Sequence, residues 1–212
     1  MPEKGKAETA SEELYRRAKK LSGDGALEEA TRVYRELLAL DPKHLRAHNN
    51  LGVLYDQLGD YERALSEYRA AEELDPDDVR LQCNIAAVLA SLGRYAEAEA
   101  KLAKALHSDP KNADARENLG LVFFKKGLYA EAAEELRRAA ELDPERASAF
   151  LYLGEALNQA DDVDAAVAAL ERSNELRPSA RAYYILGILY DRKKQPSFAQ
   201  SMYRKAEELG GW

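Results

Sequence analysis

The stretch LRAHNNLGVLYDQLGDYERALSEYRAAEELDPDD, residues 45–78, contains two apolar patterns of helical period that are separated by a break. Residues 51–58 and 61–74 each place apolar side chains at three- and four-residue steps, which predicts two amphipathic helices. Gly59 lies between them, where a chain that reverses direction needs a residue able to adopt positive φ. Pro76 ends the second pattern, because proline lacks an N–H donor and disfavours helix in the residue before it. The stretch is therefore predicted to form a helix–turn–helix hairpin.

The same hairpin pattern recurs along the chain at a nearly constant interval. A proline column and an alanine column both repeat every 34 residues, and the last alanine interval shortens to 33, so that one residue is missing near Ser179. Aspartate precedes each of these prolines except Pro178, which follows Arg177. A glycine or alanine twelve positions before each column alanine predicts close packing of the two helices. The columns are Pro42, Pro76, Pro110, Pro144 and Pro178; Ala30, Ala64, Ala98, Ala132, Ala166 and Ala199; and Ala18, Gly52, Ala86, Gly120, Gly154 and Gly187.

The register of these columns predicts the domain organisation. We expect residues 1–10 to form a disordered lead and residues 11–212 to form a single domain. A hairpin of this length buries too little apolar surface to be stable alone, so neighbouring hairpins must stack. The sequence therefore predicts an all-α protein, an α-solenoid of six antiparallel helix–turn–helix repeats. The predicted repeats are residues 11–44, 45–78, 79–112, 113–146, 147–179 and 180–212.

Composition excludes several classes of protein. The net charge of −7 argues against a nucleic-acid partner, since phosphate binding needs an excess of clustered Lys and Arg. No run approaches the roughly 18 uncharged apolar residues of a membrane span, so we expect no membrane insertion. Cys83 is the one cysteine, which rules out an intramolecular disulfide and a multi-cysteine metal site. With no secretory signal and no catalytic constellation in the sequence, we expect a cytoplasmic protein that is not an enzyme and has no cofactor.

The predicted hairpin at residues 45–78 resembles the tetratricopeptide repeat. The residues at the family's signature spacing are Leu51, Gly52, Tyr55, Gly59, Tyr61, Ala64, Tyr68, Ala71 and Pro76. The resemblance extends over nearly everything after Ala10, but the place of the signature tryptophan is held by Leu14, His48, Gln82, Arg116, Phe150 and Tyr183. It implies a right-handed superhelix in which the first helix of each pair lines a concave groove that binds peptides or partner proteins.

One inward position of the implied groove carries asparagine in three consecutive repeats, at Asn50, Asn84 and Asn118. A carboxamide offers one acceptor and two donors, so it can pair with both main-chain groups of an extended peptide. A similar asparagine ladder occurs in the tetratricopeptide region of O-GlcNAc transferases. Asparagine is also common at this position throughout the family, whatever is bound, so a structural role is the alternative.

Other groove positions carry apolar and basic residues. The apolar candidates are Val53, Cys83, Ala87, Ala90, Leu121, Phe124, Leu151 and Ile188, which form either a binding floor or packing between adjacent first helices. The family's carboxylate clamp is matched only by Asn50 and Arg80, since Tyr15, Lys19 and Asn84 replace its other three members. Lys19, Arg46 and Arg80 are candidates to contact an acidic ligand end, and solvated surface charge is the alternative.

Three functions are compatible with these features. The favoured one is a non-catalytic adaptor or scaffold that binds a protein or peptide ligand in the groove. The second is a structural scaffold that self-assembles through its last hairpin, where Met202, Tyr203, Ala206 and Leu209 are expected to be partly open. The third is the repeat region of a larger glycosyltransferase-like protein.

Overall fold

The computed structural model describes the backbone of residues 2–210 and the side chains of residues 9–210. Over this part of the chain there are twelve α-helices and no β-strand, which confirms the all-α class predicted from the sequence. The helices are α1 Pro2–Gly23, α2 Leu27–Leu40, α3 Leu45–Gln57, α4 Tyr61–Leu74, α5 Val79–Ser91, α6 Tyr95–Ser108, α7 Ala113–Lys125, α8 Tyr129–Leu142, α9 Ala147–Gln159, α10 Val163–Leu176, α11 Ala180–Arg192 and α12 Pro196–Glu208.

Consecutive helices pack in pairs, from α1 with α2 to α11 with α12, as in a tetratricopeptide solenoid. The chain divides into two compact units, which we call unit 1 (Met1–Ser108) and unit 2 (Asp109–Trp212). In each unit the second helix of one pair also packs against the first helix of the next, as α4 does on α5 and α8 on α9. The single domain and the six repeat boundaries expected from the sequence stay predictions.

Helix α1 is longer than the sequence analysis expected. It begins at Pro2, so residues 2–10 are helical in the structure rather than a disordered lead. The segment is rich in Glu, Lys and Ala, which favour helix, and proline is tolerated in a first helical turn. The start of the first repeat at Ser11 is thus not marked by a helix boundary.

The turns inside the pairs have the predicted left-handed residue. Gly59 adopts φ +76°, and Asp60 N–H donates to Tyr55 O at 2.8 Å, a bond that uses one of the last helical carbonyls. Asp161 and Lys194 stand where the earlier pairs have glycine, and they too adopt positive φ, 66° and 56°. The fold therefore imposes this backbone conformation even on residues with a side chain.

The predicted small residues lie where the two helices of a pair approach most closely. A Cβ on Gly154 of α9 would lie 2.5 Å from Leu170 Cγ and 3.2 Å from Ala166 O of α10. Leu170 and Ala166 are completely buried in the core of unit 2. Gly52 has the same relation to the buried ring of Tyr68 in unit 1, with a Cβ distance of 2.6 Å to Cε1. The small column is thus a packing requirement of the hairpins.

Candidate functional site

The first helices of neighbouring pairs contact one another inside each unit, α3 with α5 in unit 1, and α7 with α9 and α9 with α11 in unit 2. We call a set of half-buried and exposed residues on these helices, together with Lys19 of α1, the first-helix surface. It is the part of the fold in which the resemblance implies a binding site. In unit 1 it comprises Lys19, Arg46, Asn49, Asn50, Val53, Arg80, Asn84 and Ala87, and in unit 2 Asn118, Leu121, Phe124, Leu151, Tyr152 and Tyr184.

Asn50 is held by two tyrosines of the preceding pair. Its Nδ2 donates to Tyr34 Oη at 2.9 Å and to Tyr15 Oη at 3.3 Å. These two bonds use both hydrogens of the amide inside the chain. They satisfy a half-buried donor group, which would be costly to leave without an acceptor. This differs from the expectation of an amide free to donate to a peptide. Tyr34 is 1% exposed, and burial raises its pKa while the bond to Asn50 lowers it, with a net rise.

Asn84 is joined to the same network through a residue that sequence reasoning missed. Its Nδ2 donates to Asn49 Oδ1 at 3.2 Å, and Asn49 Nδ2 lies 3.5 Å from Asn50 Oδ1. Among the described residues no donor contacts Oδ1 of Asn84, so this oxygen is available as an acceptor. Asn49 directly precedes Asn50 in the sequence. This pair of adjacent asparagines was the sequence feature that could have indicated the role of Asn49 in the network.

Asn118, the third predicted member of the ladder, lies half-buried on α7 in unit 2. A continuous ladder of three amides stays a prediction. The apolar candidates are also divided between the units: Val53 and Ala87 are half-buried in unit 1, and Leu121 and Phe124 in unit 2. The ring of Phe124 meets that of Tyr129 edge to face, with 5.4 Å between centroids.

The three basic candidates of unit 1 are exposed. The side chain of Arg80 is 89% exposed, and its Nε lies 4.0 Å from Asp78 Oδ1, too far for a hydrogen bond. No ion pair is found for Lys19 or Arg46 within the described residues. Contacts between exposed charges contribute little to stability, so these cations are free to serve a ligand.

Next to the first-helix surface of unit 2, the exposed Arg181 forms an ion pair with the buried Glu155, which the sequence did not indicate. Arg181 contacts both carboxylate oxygens of Glu155, at 2.5 and 2.7 Å, and its guanidinium lies 5.8 Å from the centroid of the Tyr152 ring. Glu155 is only 7% exposed, so burial raises its pKa although Arg181 acts to lower it. The positive end of Arg181 is thus occupied within the unit.

Of the four apolar residues expected to be partly open in the last hairpin, three are half-buried or exposed and Ala206 is not. Ala206 is buried and Met202 and Tyr203 are half-buried, because α12 packs against α11. Tyr203 Oη also donates to Asp191 Oδ2 at 2.8 Å. Leu209 is 49% exposed, as predicted.

Two features that other classes of protein have are absent from the described residues. No helix among them is long and apolar enough to cross a bilayer. In the same part of the chain no cluster of three or more His, Cys, Asp or Glu side chains could hold a metal ion. The predicted cytoplasmic location and the absence of a cofactor stay predictions.

Comparison with known proteins identifies the repeat. The sequence model of a family described as tetratricopeptide repeat matches residues 15–79, 83–147 and 126–180, and a second model of that description matches residues 180–209. A search of the curated proteins gives no match.

Solved structures share the fold. PilF of Pseudomonas aeruginosa is 23% identical, with a TM-score of 0.80 over 96% of this chain and 93% of that one. PilW, a type IV pilus biogenesis factor, is 22% identical, with a TM-score of 0.84 over 91% and 90%. YrrB, described as a tetratricopeptide repeat protein with an unusual peptide-binding site, is 26% identical, with a TM-score of 0.61 over 83% and 91%.

Proposed function

The chain belongs to the tetratricopeptide repeat family, and from this we propose that it is a non-catalytic adaptor for protein–protein interaction. Its ligand is an extended segment of a partner protein, bound on the first-helix surface of unit 1. The observation that carries the proposal is the acceptor oxygen of Asn84, which is without a donor among the described residues while its amide nitrogen is held by Asn49.

The surroundings of Asn84 suit a peptide. Helix α3 carries a cation, an amide and an apolar residue at Arg46, Asn50 and Val53, at steps of four and three residues that share one helical face. Helix α5 repeats the series with Arg80, Asn84 and Ala87. Because α3 and α5 are in contact, the six residues form two neighbouring rows, one on each helix. The rows combine charge, hydrogen-bonding capacity and apolar area.

Each type of residue in the rows contributes a different interaction. A main-chain N–H of the ligand donates to Asn84 Oδ1, a carboxylate of the ligand contacts Arg46 or Arg80, and an apolar side chain covers Val53 and Ala87. A single hydrogen bond contributes about 1 kcal/mol net, whereas association costs roughly 4 to 15 kcal/mol. Backbone capture alone therefore cannot hold the ligand, and the charged and apolar contacts are required. The peptide-binding site described for YrrB supports a ligand of this class.

The test is a selection of random peptides displayed on phage against the immobilised full chain. We expect enriched peptides whose retention falls about tenfold in Asn84→Ala, the loss that corresponds to one hydrogen bond together with its desolvated partner. Reversal of both cations, Arg46→Glu with Arg80→Glu, should remove the acidic residues from the enriched peptides.

Two matched variants control for indirect effects. Asn49→Ala breaks the internal bond but keeps the Asn84 oxygen, so it should lower retention less than Asn84→Ala. Arg35→Glu makes the same charge reversal at an exposed position of the second helix α2 and should change nothing. Equal retention by wild type and Asn84→Ala would contradict this mode of binding.

A second candidate is self-assembly through the last hairpin. Exposed aromatic area favours it, since Phe198 of α12 is 56% exposed and Tyr184 of α11 is 39% exposed. The ring of Phe198 stacks on Tyr190 with 5.4 Å between centroids, which holds it at the surface. Exposed apolar patches of this kind commonly mark interaction sites.

Light scattering tests self-assembly. A mass above that of the monomer that rises with concentration and is lost in Phe198→Glu would support it. The control is Leu58 of unit 1, an exposed apolar residue, and Leu58→Glu should leave the mass unchanged. Phe150 does not serve as a control because it is partly buried against the core. A monomer at every concentration would exclude the scaffold.

A further inference from the structure

Unit 2 contains a cavity whose only lining residue among the predicted groove positions is Leu151. It has a volume of about 690 Å³ and lies where the loop before α9 meets the loop before α11. Ligand pockets in proteins commonly measure roughly 300 to 1,000 Å³. Leu151, Leu176 and Pro178 supply apolar wall, and Arg146 and Arg177 supply cationic groups.

The cavity coincides with the one irregular junction of the repeat. Earlier junctions have aspartate before the proline, as Asp75 does before Pro76, and this junction has Arg177 before Pro178. The loop from α10 to α11, residues 177–179, is also one residue shorter than the loop of residues 75–78. A guanidinium has replaced a carboxylate at this point of the fold.

The charges around the cavity leave one cation without a partner. Asp143 accepts a hydrogen bond from Arg146 Nε at 3.0 Å, and Glu145 forms an ion pair with Arg172 at 3.5 Å. Arg177 is exposed, and within the described residues it is found in no ion pair or side-chain hydrogen bond. Arg146 contacts three carboxylates, those of Asp143, Asp114 and Glu117. The lining has two carboxylates and two guanidinium groups, and Arg177 is the one of these four groups without a charged partner among the described residues.

Hydrogen bonds of two buried side chains, Ser173 and Asn174, fix the backbone that forms the walls of the cavity. Ser173, 2% exposed, donates from Oγ to Ala147 O at 2.9 Å, which joins α10 to the start of α9. Asn174, 7% exposed, accepts from Ser179 N–H at 2.9 Å, and Ser179 Oγ accepts from Ala182 N–H at 3.1 Å. These bonds fix the loop of Arg177 against the helix ends, so little ordering is required when a ligand binds.

We propose that this cavity is a specificity site for a peptide in which an acidic residue adjoins a large apolar residue. The apolar side chain enters against Leu151, Leu176 and Pro178, and the carboxylate accepts hydrogen bonds from the guanidinium of Arg177. Arginine suits this role because its planar group binds a carboxylate through two parallel N–H donors. The inference rests on the proposed function in that it assumes a peptide ligand, but it uses residues of unit 2 alone.

Peptide display on the immobilised full chain provides the test. We expect a class of enriched peptides that contain Asp or Glu next to Leu, Ile, Met or Phe. Arg177→Glu should reduce the retention of this class by about tenfold or more, the change expected when a charge-assisted contact is reversed. Ser148→Trp, at an exposed residue of the cavity rim, should reduce it by filling the entrance.

Control variants separate this inference from the proposed function. Arg204→Glu makes the same charge change at an exposed position of α12 and should leave retention unchanged, and circular dichroism confirms the fold of each variant. If every enriched peptide is lost in Asn84→Ala and kept in Arg177→Glu, the cavity site is overturned and the proposed function stands. If every enriched peptide is lost in Arg177→Glu and kept in Asn84→Ala, the binding mode at Asn84 is overturned and the cavity site stands. Enrichment of no peptide would overturn both.

Discussion

Asn84 Nδ2 donates a hydrogen bond to Asn49 Oδ1 at 3.2 Å, and this bond ties helix α5 to helix α3. The two residues are 35 positions apart, so they occupy neighbouring repeats at sites that differ by one residue in register. The bond orients the Asn84 amide and directs its unused acceptor away from Asn49. An amide held in this way loses less rotational freedom when a ligand binds than a free side chain does.

The network around Asn50 is expected to stabilise the fold. Replacement by Ala removes its bonds to Tyr34 and Tyr15, which should lower the free energy of unfolding by about 1 to 2 kcal/mol. Urea unfolding of Asn50→Ala, Tyr34→Phe and the double variant measures the coupling. Because both single variants remove the same bond, the double variant should lose less than the sum of the two. Strict additivity would show that the bond contributes nothing.

Gly154 should tolerate no added methyl group. Alanine favours helix over glycine by about 1 kcal/mol, but its Cβ would lie 2.5 Å from the buried Leu170 Cγ. Overpacking typically costs about 1 to 3 kcal/mol, so Gly154→Ala should lower the melting temperature. Gly23→Ala is the matched control, since no heavy atom lies within 4 Å of a Cβ there. Its melting temperature should be equal to or above that of the wild type, and a loss equal to that of Gly154→Ala would refute the packing argument.

Lys194 carries backbone strain that glycine would relieve. Its φ of 56° lies in the left-handed region, where a side chain costs roughly 1 to 2 kcal/mol. Lys194→Gly should therefore raise the free energy of unfolding, by about 0.5 to 1 kcal/mol after the greater chain entropy of glycine is subtracted. Lys194→Ala removes the same charge but keeps the strain, so thermal unfolding should show no gain. An equal gain in both variants would assign the effect to the lysine side chain.

Glu155 and Glu72 should affect stability with opposite dependence on pH. Burial raises the pKa of Glu155 above 4.5, against the influence of Arg181. Burial also acts to raise the pKa of Glu72, but hydrogen bonds from Lys101 and Gln82 leave it below 4.5. The contribution of Glu155 is therefore lost as pH rises from about 4.5 through its folded pKa. That of Glu72 is present above about 4.5 and is lost as pH falls through its folded pKa.

Urea unfolding of Glu155→Gln and Glu72→Gln between about pH 3 and pH 8 measures this difference. Relative to wild type, Glu155→Gln should become less destabilised as pH rises, and Glu72→Gln more destabilised. The two variants have the same change in charge, so each is the control for the other. Parallel curves would contradict the opposite pKa shifts.

Much of the fold could be predicted because its signals are local. The turn at Gly59 and the close approach at Gly154 follow from residue types that few other conformations require, and both are confirmed. The helical start at Pro2 was not predicted, because a segment rich in Glu, Lys and Ala without an apolar stripe gives no packing signal. The site was predicted less well: the sequence indicated the position of Asn50 but not that its donors are used by Tyr15 and Tyr34.

The sequence by itself determined the helix pairs, their turns and the close-packed column of small residues, since apolar period, glycine and proline act within a few residues of the chain. Only the tertiary structure decided which partner each polar side chain has. Asn49 meets Asn84, and Ser173 meets the carbonyl of Ala147, through the rotation of packed helices about their axes. That rotation depends on the packing of many side chains at once, so no local sequence pattern predicts it.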